Sequence, residues 1–269
     1  MLNEQQLDHF DTFGFVVLRR VFGADELATI EAEYEDGLNA AYAHLPFDGS
    51  KRHWTNTLGP DTPYMASMLE DARFLETAQQ IFGADVIGMG ADANRYVGHT
   101  RWHPDHYTDP TKDTYGIKFA YYLDPVGAKS GALRVVPGSH REPYHSKVGA
   151  TIRGAGLDIP DVPSYVCESL PGDVVAFDLR LWHASWGGSD GRRMCTFVYY
   201  NNPKGKAEED AARNRAANSI RATAQYDRPD DPLYPLQWLE NRGGSELRQQ
   251  WIDRLGELGF LDSPAEAAD

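Results

Sequence analysis

The chain has 269 residues, a formal net charge of −14, 41% hydrophobic and 25% charged residues, and only two cysteines. A chain of this length buries a sizeable core without disulfide or metal staples. Its charge argues against nucleic acid and anionic membrane surfaces, which carry the same sign, but leaves room for an anionic small molecule in a local basic pocket. No apolar run approaches the roughly 18 residues that span a bilayer. The first residues, Met1 to Asp11, are charged and carry no apolar signal core, and Pro264 to Asp269 carry no lipidation or retention signal. Cys167 and Cys195 sit in apolar runs outside any C-x-x-C pattern. They are expected to be buried free thiols, which fits a reducing, cytoplasmic setting.

In chain order, Leu7 to Phe13 suits a short helix and Phe15 to Leu18 a short strand. From Asp25 to Ala43, the residues Leu27, Ile30, Tyr34, Leu38 and Ala41 keep the helical period. The acidic run Glu31 to Asp36 reads as the solvated face of that helix. Tyr64 to Phe82 suits another helix, stopped by Gly83. The middle of the chain changes character. Val86-Ile87, Gly116–Leu123, Ala132–Val136, Tyr165–Leu170, Asp173–Phe177 and Met194–Tyr200 are short apolar or β-branched runs separated by Gly and Pro. Such spacing predicts a sandwich or barrel. Beyond Asn202, Lys206 to Tyr226 and Ser245 to Leu258 read as helices, the latter with Leu247, Trp251, Leu255 and Leu258 on one face. The chain is read as one domain over 1–269: a helical N-terminal region over residues 1–85, a β core over 86–201 and a helical C-terminal cap over 202–269. Gly88-Met-Gly90-Ala-Asp-Ala93 loosely matches a dinucleotide fingerprint, but that pattern should open a helix, and the following Asn94 to Gly98 reads as extended.

Among nine histidines, His103-Pro104-Asp105 stands out. On an extended segment, residues i and i+2 project to one side, so an imidazole and a carboxylate converge. His183, beyond the Pro171-Gly172 turn and a strand, can supply the third ligand. Two His and one carboxylate with open positions are the signature of non-haem Fe(II) oxygenases. Nine residues later comes Arg192, with Arg193 next, and an arginine there can reach back to hold a carboxylate by a two-pronged salt bridge. The second His-x-Asp, His9 and Asp11, falls on a helical stretch where i and i+2 diverge. His140, before Arg141 and Glu142, falls in a turn. His99 and His106 flank the candidate site, and Asn94, Tyr107 and Trp186 are further candidates for its walls.

These residues carry a resemblance. Phe10-x-x-x-Gly14-Phe-Val-Val-Leu18, Trp102-His103-Pro104-Asp105, the Ser130-Gly-Ala-Leu133 to His140-Arg141 segment, and Pro171-Gly-Asp173 through His183-x-Ser185 to Arg192 occur in this order. Together they make residues 5 to 201 similar to the phytanoyl-CoA dioxygenase family of Fe(II)/2-oxoglutarate oxygenases. The resemblance implies a double-stranded β-helix (a cupin-like jelly-roll) with helices on one outer face. It implies His103, Asp105 and His183 as catalytic metal ligands, and Arg192 with Ser185 as the grip on the distal carboxylate of 2-oxoglutarate. The cofactors implied are Fe(II), 2-oxoglutarate and O2. Relatives that halogenate have a small residue in place of the carboxylate, so Asp105 implies hydroxylation or another oxidation, hydroxylation first, with release of succinate and CO2. The expected partner is a small metabolite or natural-product intermediate, and the expected assembly a monomer or homodimer. The competing reading is a cupin-like metal-binding protein without turnover.

Overall fold

The computed structural model describes residues 1–106, 115–188, 191–219, 222–228 and 231–262. Asn3 opens helix α1 (Glu4–Phe13) through a capping box with Gln6, satisfying amides that the first turn leaves free. Gly14 closes the helix at φ 81°, a conformation that a side chain would strain; a Cβ there would also sit 2.5 Å from the His140 ring. Strand β1 (Phe15–Leu18) and helix α2 (Ala24–Ala41) follow, α2 burying Ile30, Tyr34 and Leu38 as their spacing predicts. Next comes β2 (His53–Asn56). The helix expected over Tyr64 to Phe82 is in fact two, α3 (Pro63–Ser67) and α4 (Ala72–Phe82). The break falls at Asp71, whose carboxylate caps α4 by accepting from the Arg73 amide at 2.8 Å. Helix α3 lacks a side-chain cap of its own. Glu33 takes that role from α2, accepting from the Tyr64 and Met65 amides at 2.8 Å each, so some of the acidic run is structural.

The chain continues through β3 (Val86–Tyr96), β4 (Thr100–His103), β5 (Gly116–Tyr122), β6 (Ser130–Val135), α5 (Tyr144–Ala155), β7 (Tyr165–Cys167), β8 (Val174–Asp178), β9 (His183–Gly187) and β10 (Arg192–Asn201). It then forms α6 (Lys206–Ser219), α7 (Leu236–Leu239) and α8 (Glu246–Glu257). The strands make two antiparallel sheets, one of six in the order β1-β8-β5-β10-β3-β2 and one of four in the order β4-β9-β6-β7. Phe15, Tyr122, Leu133, Val135, Phe177 and Leu181 fill the space between them. This is the expected β-helical sandwich, the jelly-roll. Residues before position 86 contribute two strands, β1 and β2, to the larger sheet, so the N-terminal region is not purely helical.

Strand alternation assigns each residue a face. On β5, Phe119 and Tyr121 join the core under the helices, whereas Ala120 and Tyr122 face the other sheet. Most helices cover the outer face of the six-stranded sheet, where Phe119 and Phe197 stack and Phe74 meets both edge to face. The expectation of helices on one outer face needs correction, because α5 covers the four-stranded sheet, packing Val148 in a cluster with Trp102, Trp182 and Ala184. At the C-terminal end, α8 docks on β3. The Trp251 indole donates to the Val86 carbonyl at 2.9 Å, and its ring lies where a Cβ on Gly88 would be, 2.7 Å away. Gly88 to Ala93 therefore lies within a strand and beneath a tryptophan, not at a strand-to-helix turn, which removes the dinucleotide reading. Cys167 and Cys195 are buried free thiols, and no described helix is long and apolar enough to cross a membrane.

Candidate active site

His103 on β4 and His183 on β9 are direct cross-strand partners, so their rings stand side by side with centroids 4.3 Å apart. Each ring is anchored by its own chain. His103 Nδ1 lies 2.7 Å from the Arg101 carbonyl and His183 Nδ1 2.8 Å from the Leu181 carbonyl. A carbonyl only accepts, so each Nδ1 carries a proton, and in the neutral ring Nε2 is then the atom that keeps a free lone pair. Both lone-pair atoms approach one oxygen of Asp105, at 3.7 and 3.9 Å from Oδ1. The three ligand atoms lie within 4.8 Å of one another, which is the spacing of groups that share one cation. The donor set, two neutral imidazoles and one carboxylate, fits Fe(II).

Lys118 completes the arrangement. Alternation on β5 puts it on the inner face with Ala120 and Tyr122, and its Nζ donates to Asp105 Oδ2 at 2.7 Å. That leaves Oδ1 to face the imidazoles. Burial pushes the Asp105 carboxyl up, but Lys118 and the two imidazoles outweigh it and hold the group well below the usual carboxylate range. Burial lowers His183 to about 4. At neutral pH both groups are thus in their metal-binding forms. Replacing Lys118 by methionine frees the carboxylate to rotate. It is expected to weaken Co(II) or Fe(II) binding by about 10- to 100-fold, read by titration of the apoprotein.

Arg192 opens β10 and shares the inner face with Met194 and Thr196. Arg193 points the other way, to Asp124 at 2.7 Å and Glu31 at 2.8 Å. Arg192, then, is the one that enters the cavity. Only 4% of it is exposed. Its guanidinium donates to Ser185 Oγ at 3.2 Å and, at 3.4 Å each, to the carbonyls of Gly98 and Gly187. Its Nε has no partner, and no carboxylate lies within ion-pair distance of it among the described residues. A buried cation so placed is costly unless an anion joins it. Two glycines make room for it. A Cβ on Gly131 would come 1.8 Å from Arg192 Nη1 and one on Gly188 2.5 Å. Gly131→Ala is therefore expected to displace the guanidinium and to raise the Kd for 2-oxoglutarate by about tenfold or more, the value of one charge-assisted hydrogen bond, read by calorimetry on the metal-loaded protein.

Triad, Lys118, Ser185 and Arg192 line one cavity of about 280 Å3. Comparison with known proteins identifies the family. The family model for phytanoyl-CoA dioxygenase (PhyH) matches residues 10–195. The chain belongs to the phytanoyl-CoA dioxygenase family. It is 26% identical over 267 residues, 87% of each chain, to the ectoine dioxygenase of Stutzerimonas stutzeri. To the ectoine dioxygenase of Sphingopyxis alaskensis it is 26% identical over 242 residues, 77% of this chain and 78% of that one. Among solved structures it is similar in fold to HygX of Streptomyces hygroscopicus, solved with nickel and 2-oxoglutarate bound (TM-score 0.63, 20% identity, 77% of this chain and 90% of that one). With this family come Fe(II), 2-oxoglutarate and O2. The protein is a 2-oxoglutarate-dependent non-haem iron dioxygenase.

The other candidates fall elsewhere. Asn94 lines the cavity. His106 does not meet the cation site; its Nε2 pairs with the Tyr200 hydroxyl at 2.9 Å, and burial lowers it to about 3. His99 is exposed in the turn before β4. Trp186 lies under Arg134 and not on the cavity wall among the described residues. His9 packs on Phe13 and Phe15, and His140 bonds the Asp11 carbonyl at 3.1 Å. Tyr107 lies outside the described residues. Lys118, Arg52, Asp92 and Tyr96 line the cavity and were not singled out from the sequence.

Proposed function

We propose that His103, Asp105 and His183 hold Fe(II), that Arg192 and Ser185 bind the distal carboxylate of 2-oxoglutarate, and that the enzyme hydroxylates an unactivated C–H of a small metabolite or natural-product intermediate. The observation that carries this reading is the buried, acid-free Arg192 guanidinium in the same cavity as the triad. A protein that merely stored metal would gain nothing from it. When bound, the iron and 2-oxoglutarate supply the oxidising power, with O2 consumed and succinate and CO2 released. The chain contributes placement. The carbonyl-anchored imidazoles hold their lone pairs on one point, Lys118 keeps Asp105 to one free oxygen, and Arg192 fixes the far end of the cosubstrate. Leu133, Phe177 and Tyr122 wall the cavity and limit water. The His103 side chain is 39% exposed and that of His183 only 7%, so the approach lies on the His103 side. We place the protein in the cytoplasm as a monomer or homodimer acting without nucleic acid or membrane, on its −14 charge and its two unpaired thiols.

The test is anaerobic addition of Fe(II) and 2-oxoglutarate. A weak visible charge-transfer band, lost in His103→Ala, and succinate release in air support the oxygenase. No band and no succinate would favour the cupin-like binder. Ectoine, named for the relatives, comes first in a substrate screen.

A further inference from the structure

We infer that the substrate of this cavity carries an oxyanion and that Arg52 receives it. The inference rests on the placement of iron and 2-oxoglutarate given above and names the substrate class for the same site.

Arg52 directly precedes β2, at the edge of the larger sheet, and lines the metal cavity. Its guanidinium lies 4.0 Å from the Tyr96 ring centroid and 5.0 Å from that of Tyr226. Its Nε donates to Asn94 Oδ1 at 2.9 Å, and Nη2 donates to the same oxygen. No carboxylate of a described residue lies within ion-pair distance. Asp105 faces Lys118 and the imidazoles, and the cavity's other acid, Asp92, is engaged elsewhere, accepting from Thr196 Oγ1 at 2.9 Å and from the Asn94 amide. Asn94 thus stands between cation and acid and leaves Arg52 with a neutral partner. A planar guanidinium held against two rings is already oriented and loses little freedom when it binds a carboxylate or phosphate.

Charge points the same way. The cavity wall carries Arg52, Lys118 and Arg192 against Asp92 and Asp105. Fe(II) and a 2-oxoglutarate dianion cancel each other, so one positive charge remains. Arg192, sealed beside Ser185, takes the cosubstrate; Arg52 is only half-buried and is left for a third molecule.

The rest of that molecule has somewhere to go. A second chamber of about 390 Å3 shares Trp54, Asp92, Asp105 and Lys118 with the metal cavity. Leu58, Met89, Leu233 and Phe260 give it one apolar wall, the last two from the C-terminal region, and Arg215, Tyr200 and His106 stand on its polar side. A ligand anchored at Arg52 can cross the Asp105 side of the triad and lay its body there. The class is therefore a small amphipathic acid, with an oxyanion at one end and an apolar body at the other.

The test uses full-length protein loaded with Ni(II) and 2-oxoglutarate, titrated by calorimetry with matched probes: octanoate against octanamide, 3-phenylpropionate against its amide, and octyl phosphate. In the wild type at least one acid is expected to bind about tenfold or more tighter than its amide. Arg52→Gln should erase that ratio, and Arg52→Lys should restore some of it. The affinity for 2-oxoglutarate should be the same in all three proteins, which also reports an intact fold. A stronger hold on octyl phosphate than on octanoate identifies the oxyanion as a phosphate; the reverse order identifies a carboxylate. No preference for any acid, or a preference that survives Arg52→Gln, overturns the inference. Failure of the wild type to bind 2-oxoglutarate would instead bring down the reading of Arg192 and the triad on which the inference stands.

Discussion

Replacing His183 by alanine is expected to abolish tight Fe(II) binding and to cut succinate release by about a thousandfold or more. His183 is one of three protein ligands to the proposed ion. A bound metal contributes several kcal/mol to such chemistry, and about 4 kcal/mol corresponds to three factors of ten. The variant should still fold. The ring is packed against Phe177 at 5.0 Å between centroids but lines a cavity, so its loss enlarges a space that already exists. His106→Ala is the matching control. That ring is equally buried and adjacent in sequence to Asp105, yet it bonds Tyr200 and not the ion, so its loss should spare Fe(II) affinity. Fe(II) titration of the two apoproteins checks the pair. Native affinity in His183→Ala would remove residue 183 from the metal site.

The triad was legible because its chemistry is local at one end. His103 and Asp105 are two residues apart on an extended segment, and any such pair shares a side. What the spacing did not give was the direct pairing of His103 with His183, which depends on β4 and β9 being neighbours in the smaller sheet. Lys118 shows the same limit more sharply. It lies in a run read correctly as a strand, but its partner Asp105 belongs to a different region of the fold, and a lysine on a strand carries no mark of what it will meet. Arg52 sits in a polar stretch without periodicity, and β2 itself escaped notice because His53, Thr55 and Asn56 offer no apolar alternation. Helix α5 was missed although His145, Val148 and Ile152 keep a helical spacing; Gly149 and Gly154 interrupt it. Gly149 is needed because a Cβ there would come 2.6 Å from the Trp182 ring. Gly131 appeared in a motif, but its reason, clearance for a guanidinium contributed by β10, exists only in three dimensions.

The two neighbouring arginines of β10 should behave as opposites. Arg192→Gln is expected to raise the Kd for 2-oxoglutarate by about 100- to 1000-fold. Two hydrogen bonds to a charged group are worth roughly 3–4 kcal/mol together, at about 1.4 kcal/mol per tenfold. Arg193→Gln should leave that Kd unchanged, because its guanidinium is already held by Asp124 and Glu31 on the far side of the sheet. Stability should run the other way. Arg193→Gln breaks an ion-pair network between β10 and α2 and lowers Tm. Arg192→Gln removes a buried charge that no acid of the described chain compensates, so the variant should melt no lower than the wild type without ligand, while losing the rise in Tm that 2-oxoglutarate confers. Calorimetry and thermal melts of both variants, with and without 2-oxoglutarate, decide the matter. A buried cation without an acid partner costs the empty protein stability, and a site proposed to bind a dianion gives that cost a purpose; equal effects of the two substitutions would contradict that account.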